Sequence, residues 1–60
     1  MLDANTATSA ANQWTAPTEY TDAERADFRA GVRDALMERR KPAIVSAAYK
    51  AGYRAAWRLR

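Results

Sequence analysis

Between Ala47 and Arg58 the chain repeats one tetrad three times: Ala47-Ala48-Tyr49-Lys50, Ala51-Gly52-Tyr53-Arg54 and Ala55-Ala56-Trp57-Arg58. The order is alanine, small, aromatic, basic. Residues four apart stack on one ridge of an α-helix, and alanine is the strongest helix former, so the repeat constrains this stretch to a helix. An echo stands earlier, at Ala26-Asp27-Phe28-Arg29 and Ala30-Gly31-Val32-Arg33. Laying residues 26–37 on 47–58 pairs Ala26 with Ala47, Ala30 with Ala51, Gly31 with Gly52, Arg33 with Arg54 and Ala35 with Ala56. An internal duplication explains this, as does the shared composition of alanine-rich helices. Gly31 and Gly52 are more telling, because a glycine costs a helix interior about 1 kcal/mol relative to alanine. Close backbone approach is the usual compensation, so both are expected where two helices, or two copies of the chain, cross.

The first helix opens at Thr21-Asp22-Ala23-Glu24, a capping box with two acids at the positive end of the helix dipole. Phe28, Val32 and Leu36 then recur every fourth residue as an apolar stripe. Basic residues at Arg39 to Lys41 and the restriction that Pro42 places on Lys41 predict a helix over 21–40. Pro42 suits the first position of a second helix, predicted over 42–59. Residues 1–20 are rich in Ala, Thr, Ser and Asn and read as a flexible polar tail. Trp14 and Tyr20 stand out in it and are expected to fold back on the helices or meet a partner. The expected fold is all-α: a two-helix antiparallel hairpin over 21–60, dimerising into a four-helix arrangement.

Dimerisation follows from the width of an apolar arc. At 100° per residue, a helix over 42–59 spreads Ile44, Val45, Ala48, Tyr49, Gly52, Tyr53, Ala55, Ala56 and Trp57 over about 220°. One neighbouring helix covers a single stripe, so the rest should meet a second protomer, the N-terminal tail or another macromolecule.

Sixty residues leave no room for a walled pocket, and the chain has neither Cys nor His. A disulfide framework and a Cys/His metal site are thereby excluded, and no cofactor is expected. Acid–base chemistry would fall to seven scattered carboxylates, none in a recognisable pair, so binding rather than catalysis is expected. No apolar run approaches the ~18 residues of a membrane span, and Met1 to Trp14 lacks the pattern of a secretory signal. A cytoplasmic protein is the expectation.

Charge narrows the partner. Residues 1–24 carry four acids and no Lys or Arg, whereas residues 25–60 carry ten basic residues against three acids, a balance of +7. Such a surface attracts nucleic acid or acidic protein, and a membrane surface ranks last because the apolar face is mostly Ala and Gly. Lys50, Arg54 and Arg58 form one basic ridge beside the aromatic ridge of Tyr49, Tyr53 and Trp57. That pairing stacks unpaired bases while neutralising phosphates, and it is also the boundary of an ordinary amphipathic helix. On the first helix, Asp27, Asp34 and Glu38 flank the apolar stripe on one side and Arg29, Arg33 and Arg40 on the other. Which flank faces the basic ridge decides whether the cations pair internally or merge into one patch. The candidate binding residues are therefore Lys50, Arg54, Arg58, Arg29, Arg33, Arg40, Tyr49, Tyr53, Trp57 and Trp14.

Phe28-Arg29-Ala30-Gly31, followed by Lys41-Pro42 and then by Tyr53 and Trp57, resembles the ribosome modulation factor family over residues 28–58. The resemblance implies a small basic protein of two helices that binds the small ribosomal subunit and drives hibernating dimers. It would make Phe28, Gly31, Pro42 and Trp57 structural and leave RNA contact to nearby arginines. Lys41-Pro42-Ala43 stands where that family has Cys-Pro-Tyr, and Ala55-Ala56-Trp57 where it has Gly-Gly-Trp. In size and style the chain also resembles the small inhibitors that bacteriophages direct at host machines, such as anti-CRISPR and RNA polymerase-binding proteins. That likeness implies docking on a host protein complex through Trp14, Tyr49, Tyr53 and Trp57.

Overall fold

The computed structural model describes residues 3–58 and is all-α. Among the described residues there are three helices: α1 (Ala4–Asn12), α2 (Asp22–Leu36) and α3 (Ala47–Arg58). The expected end of the last helix at residue 59 lies outside the described residues.

α2 begins at the capping box. The Thr21 side chain accepts from the Glu24 amide at 3.2 Å, and the Glu24 carboxylate accepts from the Thr21 amide at 2.8 Å. The helix stops earlier than the expected residue 40. Glu38 adopts a left-handed backbone with φ 58°, the Glu38 amide bonds the Ala35 carbonyl at 3.0 Å, and the Arg39 amide bonds the Asp34 carbonyl at 2.9 Å. Together these form a Schellman stop that satisfies the last carbonyls before Pro42 is reached.

α3 likewise starts later than the expected residue 42. Pro42 opens no helix; Ser46 does, its hydroxyl accepting from the Tyr49 amide at 3.1 Å while its carbonyl accepts from the Lys50 amide. The chain between the helices, residues 37–46, is a ten-residue connection rather than a tight turn. It carries the chain back along α2, because the Ser46 hydroxyl donates to Asp27 in the second turn of that helix at 2.9 Å. The expected antiparallel hairpin would have set the start of α3 beside the end of α2. Instead α3 starts beside Asp27 in the N-terminal half of α2, and the two helices cross near the middle of α2, at Phe28 and Gly31.

At the crossing the two backbones touch. A Cβ on Gly31 would fall on the Tyr49 carbonyl oxygen and within 2.8 Å of the Tyr53 amide nitrogen. A Cβ on Gly52 would fall on the Phe28 carbonyl oxygen and within 2.9 Å of its carbon. The contacts are reciprocal, since each glycine meets the residue three before the other glycine. Both therefore obey the 21-residue offset that relates the two helices in sequence.

The expected flexible tail contains α1. Asp3 caps it, accepting from the Thr6 amide at 2.8 Å, and that donor holds the Asp3 carboxyl below its ordinary pKa. Ala7 and Ala11, one helical turn apart, are buried, and α1 packs on α2. Alanine methyls fit a helix closely against its neighbour without large side chains, which is why composition alone read as a tail. Ala11 joins Phe28, Val32, Ala35 and Ala56 in the core, and Trp14, Ala16 and Tyr20 pack against it. Tyr20 meets Phe28 edge to face, with ring centroids 6.2 Å apart. The N-terminal residues thus cover apolar surface of the helix pair.

Candidate nucleic-acid interface

The tetrad repeat builds an aromatic ladder on α3. Tyr49 and Tyr53 stack with centroids 6.2 Å apart and planes inclined by 23°, and Tyr53 and Trp57 stack at 5.4 Å and 12°. Residues four apart on a helix bring such rings into register.

The ladder is anchored at its inner end. Tyr49 is buried, and its hydroxyl donates to the Asp34 carboxylate, whose other oxygen accepts from Arg33 at 3.1 and 3.2 Å. Burial, and then the bond to Asp34, pushes the Tyr49 phenol well above its ordinary pKa. The middle rung is also held, since the Tyr53 hydroxyl donates to the Arg39 carbonyl at 2.5 Å. That bond ties the connection to α3 two residues before Lys41. The outer rung, Trp57, keeps 44% of its surface exposed.

At this outer end lies an open cleft of about 490 Å³ lined by Lys41, Tyr53, Arg54, Trp57 and Arg58. Three cations and two stacked rings from segments distant in sequence meet there. Among the described residues, the ion pairs join Arg25 to Asp22 and Arg33 to Asp34. Neither takes up Lys41, Arg54 or Arg58. The acidic flank of α2 is instead occupied locally, with Asp27 bonded to Ser46 and Asp34 to Tyr49 and Arg33.

The other candidate residues are dispersed. Lys50 is exposed on α3 but does not line the cleft, and Arg40 is exposed on the connection. Arg29 and Arg33 line a separate hollow of about 230 Å³ between α1 and α2, with Thr8, Ala11 and Asn12. Trp14 is half-buried against the core, and Tyr49 lies inside rather than on the partner face. Lys41 is the member of the cleft that sequence reasoning missed. With helices expected over 21–40 and 42–59 it was a one-residue link between them, and the Ser46 cap ahead of Ala47-Ala48-Tyr49 was the signal that could have delayed the second helix and opened a longer connection around it.

Among the described residues, no helix is long and apolar enough to cross a membrane. No protein-family model, curated protein or solved structure matches the chain.

Proposed function

We propose that the chain is a small, non-enzymatic, basic protein that binds RNA, and through it a larger assembly such as the ribosome, as the family resembled by residues 28–58 does. The observation that carries this reading is the cleft that Lys41, Arg54 and Arg58 line together with Tyr53 and Trp57 of a stacked aromatic ladder. Phosphate neutralisation supplies affinity and aromatic surface supplies contact with bases, and both are gathered in one place. The reading entails a cytoplasmic protein.

Two measurements test it. In a tagged pull-down from cell lysate at about 150 mM salt, nuclease treatment should release the bound material. In purified form, binding to RNA should weaken with salt at a log–log slope of about −2, the value for three phosphates on a single strand. Arg54→Ala with Arg58→Ala should lower affinity at low salt, and an unchanged affinity would remove the RNA reading.

A second reading rests on Ile44, which is 95% exposed on the connection. Together with the 44% exposed Trp57, it makes up the exposed large apolar side chains among the described residues, surface that suits a protein partner, including a second copy of this chain or a host complex of the kind phage inhibitors bind. Recovery of one protein complex indifferent to nuclease, and lost in Ile44→Ser, would favour it. Sedimentation of the purified chain tests self-association directly.

A further inference from the structure

The helix that replaces the expected tail does more than cover the core. Arg25, Arg29 and Arg33 stand four apart on α2 and so share one ridge. α1 and the chain that follows it lie beside this ridge and turn it into a groove. One hollow, of about 230 Å³, is lined by Arg29 and Arg33 with Thr8 and Asn12. A second, of about 380 Å³, is lined by Arg25 and Arg29 with Asn12 and Gln13. Asn12 and Arg29 belong to both, so the two hollows adjoin. Among the described residues, no carboxylate lines either of them.

Two of the three arginines are held in place. Arg25 donates to the Thr18 carbonyl at 3.2 Å and pairs with Asp22 at 3.6 Å, and Arg33 donates to Asp34 at 3.1 and 3.2 Å. A guanidinium has five N–H donors, so each tether leaves donors over while limiting where the group can stand. Arg29, between them, is exposed and has no hydrogen-bond or ion-pair partner among the described residues. About 12 Å of helix axis separates Arg25 from Arg33, a row too long for one small anion and suited to a chain of them. Guanidinium forks match phosphate oxygens, and hydroxyl and amide side chains such as those of Thr8 and Asn12 also serve backbone contacts in nucleic-acid complexes.

We infer that the groove between α1 and α2 is a second nucleic-acid contact, which holds successive phosphates of a strand along Arg25, Arg29 and Arg33. It shares no residue with the cleft at Lys41, Arg54 and Arg58. The identity of the ligand rests on the RNA reading, to which the groove adds a place. Contacts to the backbone carry no base information, so the groove positions a strand without selecting its sequence.

Each place has its own reporter, since Trp14 lines the groove and Trp57 the cleft. The test uses the full chain as Trp57→Phe, in which Trp14 is the sole tryptophan. An oligouridylate of about 12 nucleotides at about 50 mM salt should change the Trp14 emission. Arg29→Gln should weaken that response about tenfold and make its log–log salt slope shallower by about 0.7, the share of one phosphate on a single strand. Arg29→Lys should keep the slope. Glutamine matches arginine as a helix former, so the variant should retain its helical circular dichroism. Arg54→Ala with Arg58→Ala should leave the Trp14 response in place, and its loss there would overturn the claim of a second contact. A silent Trp14, with Trp57 responding in the Trp14→Phe chain, would overturn the groove and leave RNA binding at the cleft intact. A Trp14 response indifferent to Arg29→Gln would overturn it too. An oligoglutamate of the same length that moves Trp14 as strongly would overturn the phosphate assignment in favour of an acidic protein. Silence of both reporters, with no binding by fluorescence anisotropy of a labelled strand, would overturn the RNA reading itself.

Discussion

α1 and α3 both pack on α2, but different forces hold them. α3 meets α2 backbone to backbone at Gly31 and Gly52, and a buried hydrogen bond from Tyr49 to Asp34 fastens the pair. α1 reaches α2 through the methyls of Ala7 and Ala11 and is capped by the exposed Asp3. The first contact has no slack, because a single added carbon would fall on a carbonyl of the facing helix. The second is thin, since two buried methyls contribute about 2 kcal/mol. In so small a protein the two contacts divide the labour, the crossing setting where α3 carries its ladder and α1 keeping water from the core.

This comparison can be broken from its strong side first. Gly52→Leu should destabilise the chain by about 3 kcal/mol, because overpacking here pushes against backbone rather than a movable side chain. That approaches the whole stability of about 3–5 kcal/mol that a core of this size supplies, so the variant should be largely unfolded by circular dichroism. A folded Gly52→Leu of unchanged melting temperature would show that the helices do not touch there.

Tyr49→Phe comes next. It leaves the buried Asp34 without one partner and should cost about 2 kcal/mol in urea denaturation. The substitution also carries a pH signature. Below the ordinary tyrosine pKa of about 10 the phenol is protonated in folded and unfolded chains alike. Above it the unfolded chain ionises while burial and Asp34 hold the proton in the folded one, so stability should fall as pH rises past that value. Tyr49→Phe should lose this contribution to the alkaline decline, and an identical pH profile would sever the phenol from the stability of the crossing.

The weak side is probed by removing residues 1–12. The α2–α3 crossing should remain folded, with a loss of about 2 kcal/mol from the two methyls. Collapse of all helicity would mean that α1 shares the strong contact after all. Smallest of all is the effect of Asp3→Ala, which should speed amide exchange in α1 and leave α2 and α3 unmoved. The same cap should loosen in acid. Its contribution is complete above the ordinary carboxyl pKa of 3.8 and disappears as pH falls through the lowered value of the folded chain, which the Thr6 amide resonance would follow.

Parts of this architecture were legible in the residues. The capping box at Thr21 and Glu24 is a local motif whose partners lie three residues apart, so its geometry follows from the sequence wherever the helix packs. The tetrad that sets Tyr49, Tyr53 and Trp57 in line is local in the same sense. The helix ends were less legible. Basic residues at 39–41 satisfy a helix C-terminus, yet the left-handed Glu38 halts α2 before them, and a glutamate gives no advance notice of that conformation. α1 was obscured because its helix-forming signal is carried by alanines whose value appears only once α2 lies beneath them.

What the sequence determined by itself is helical: the start of α2, the ridges of α3, the excess of positive charge in residues 25–60, and the two glycines whose cost demands close packing. These depend on neighbours within one or two turns, where spacing is set by the helix itself. Only the tertiary structure decided that residues 37–46 run back along α2, that Asp34 is spent on Tyr49 and Arg33, and that Lys41 joins Arg54 and Arg58. The reason is that each of these pairs residues across a connection whose path is set by what it packs against. The basic cleft is thus a product of the crossing, assembled from ridges that the sequence had drawn on separate segments.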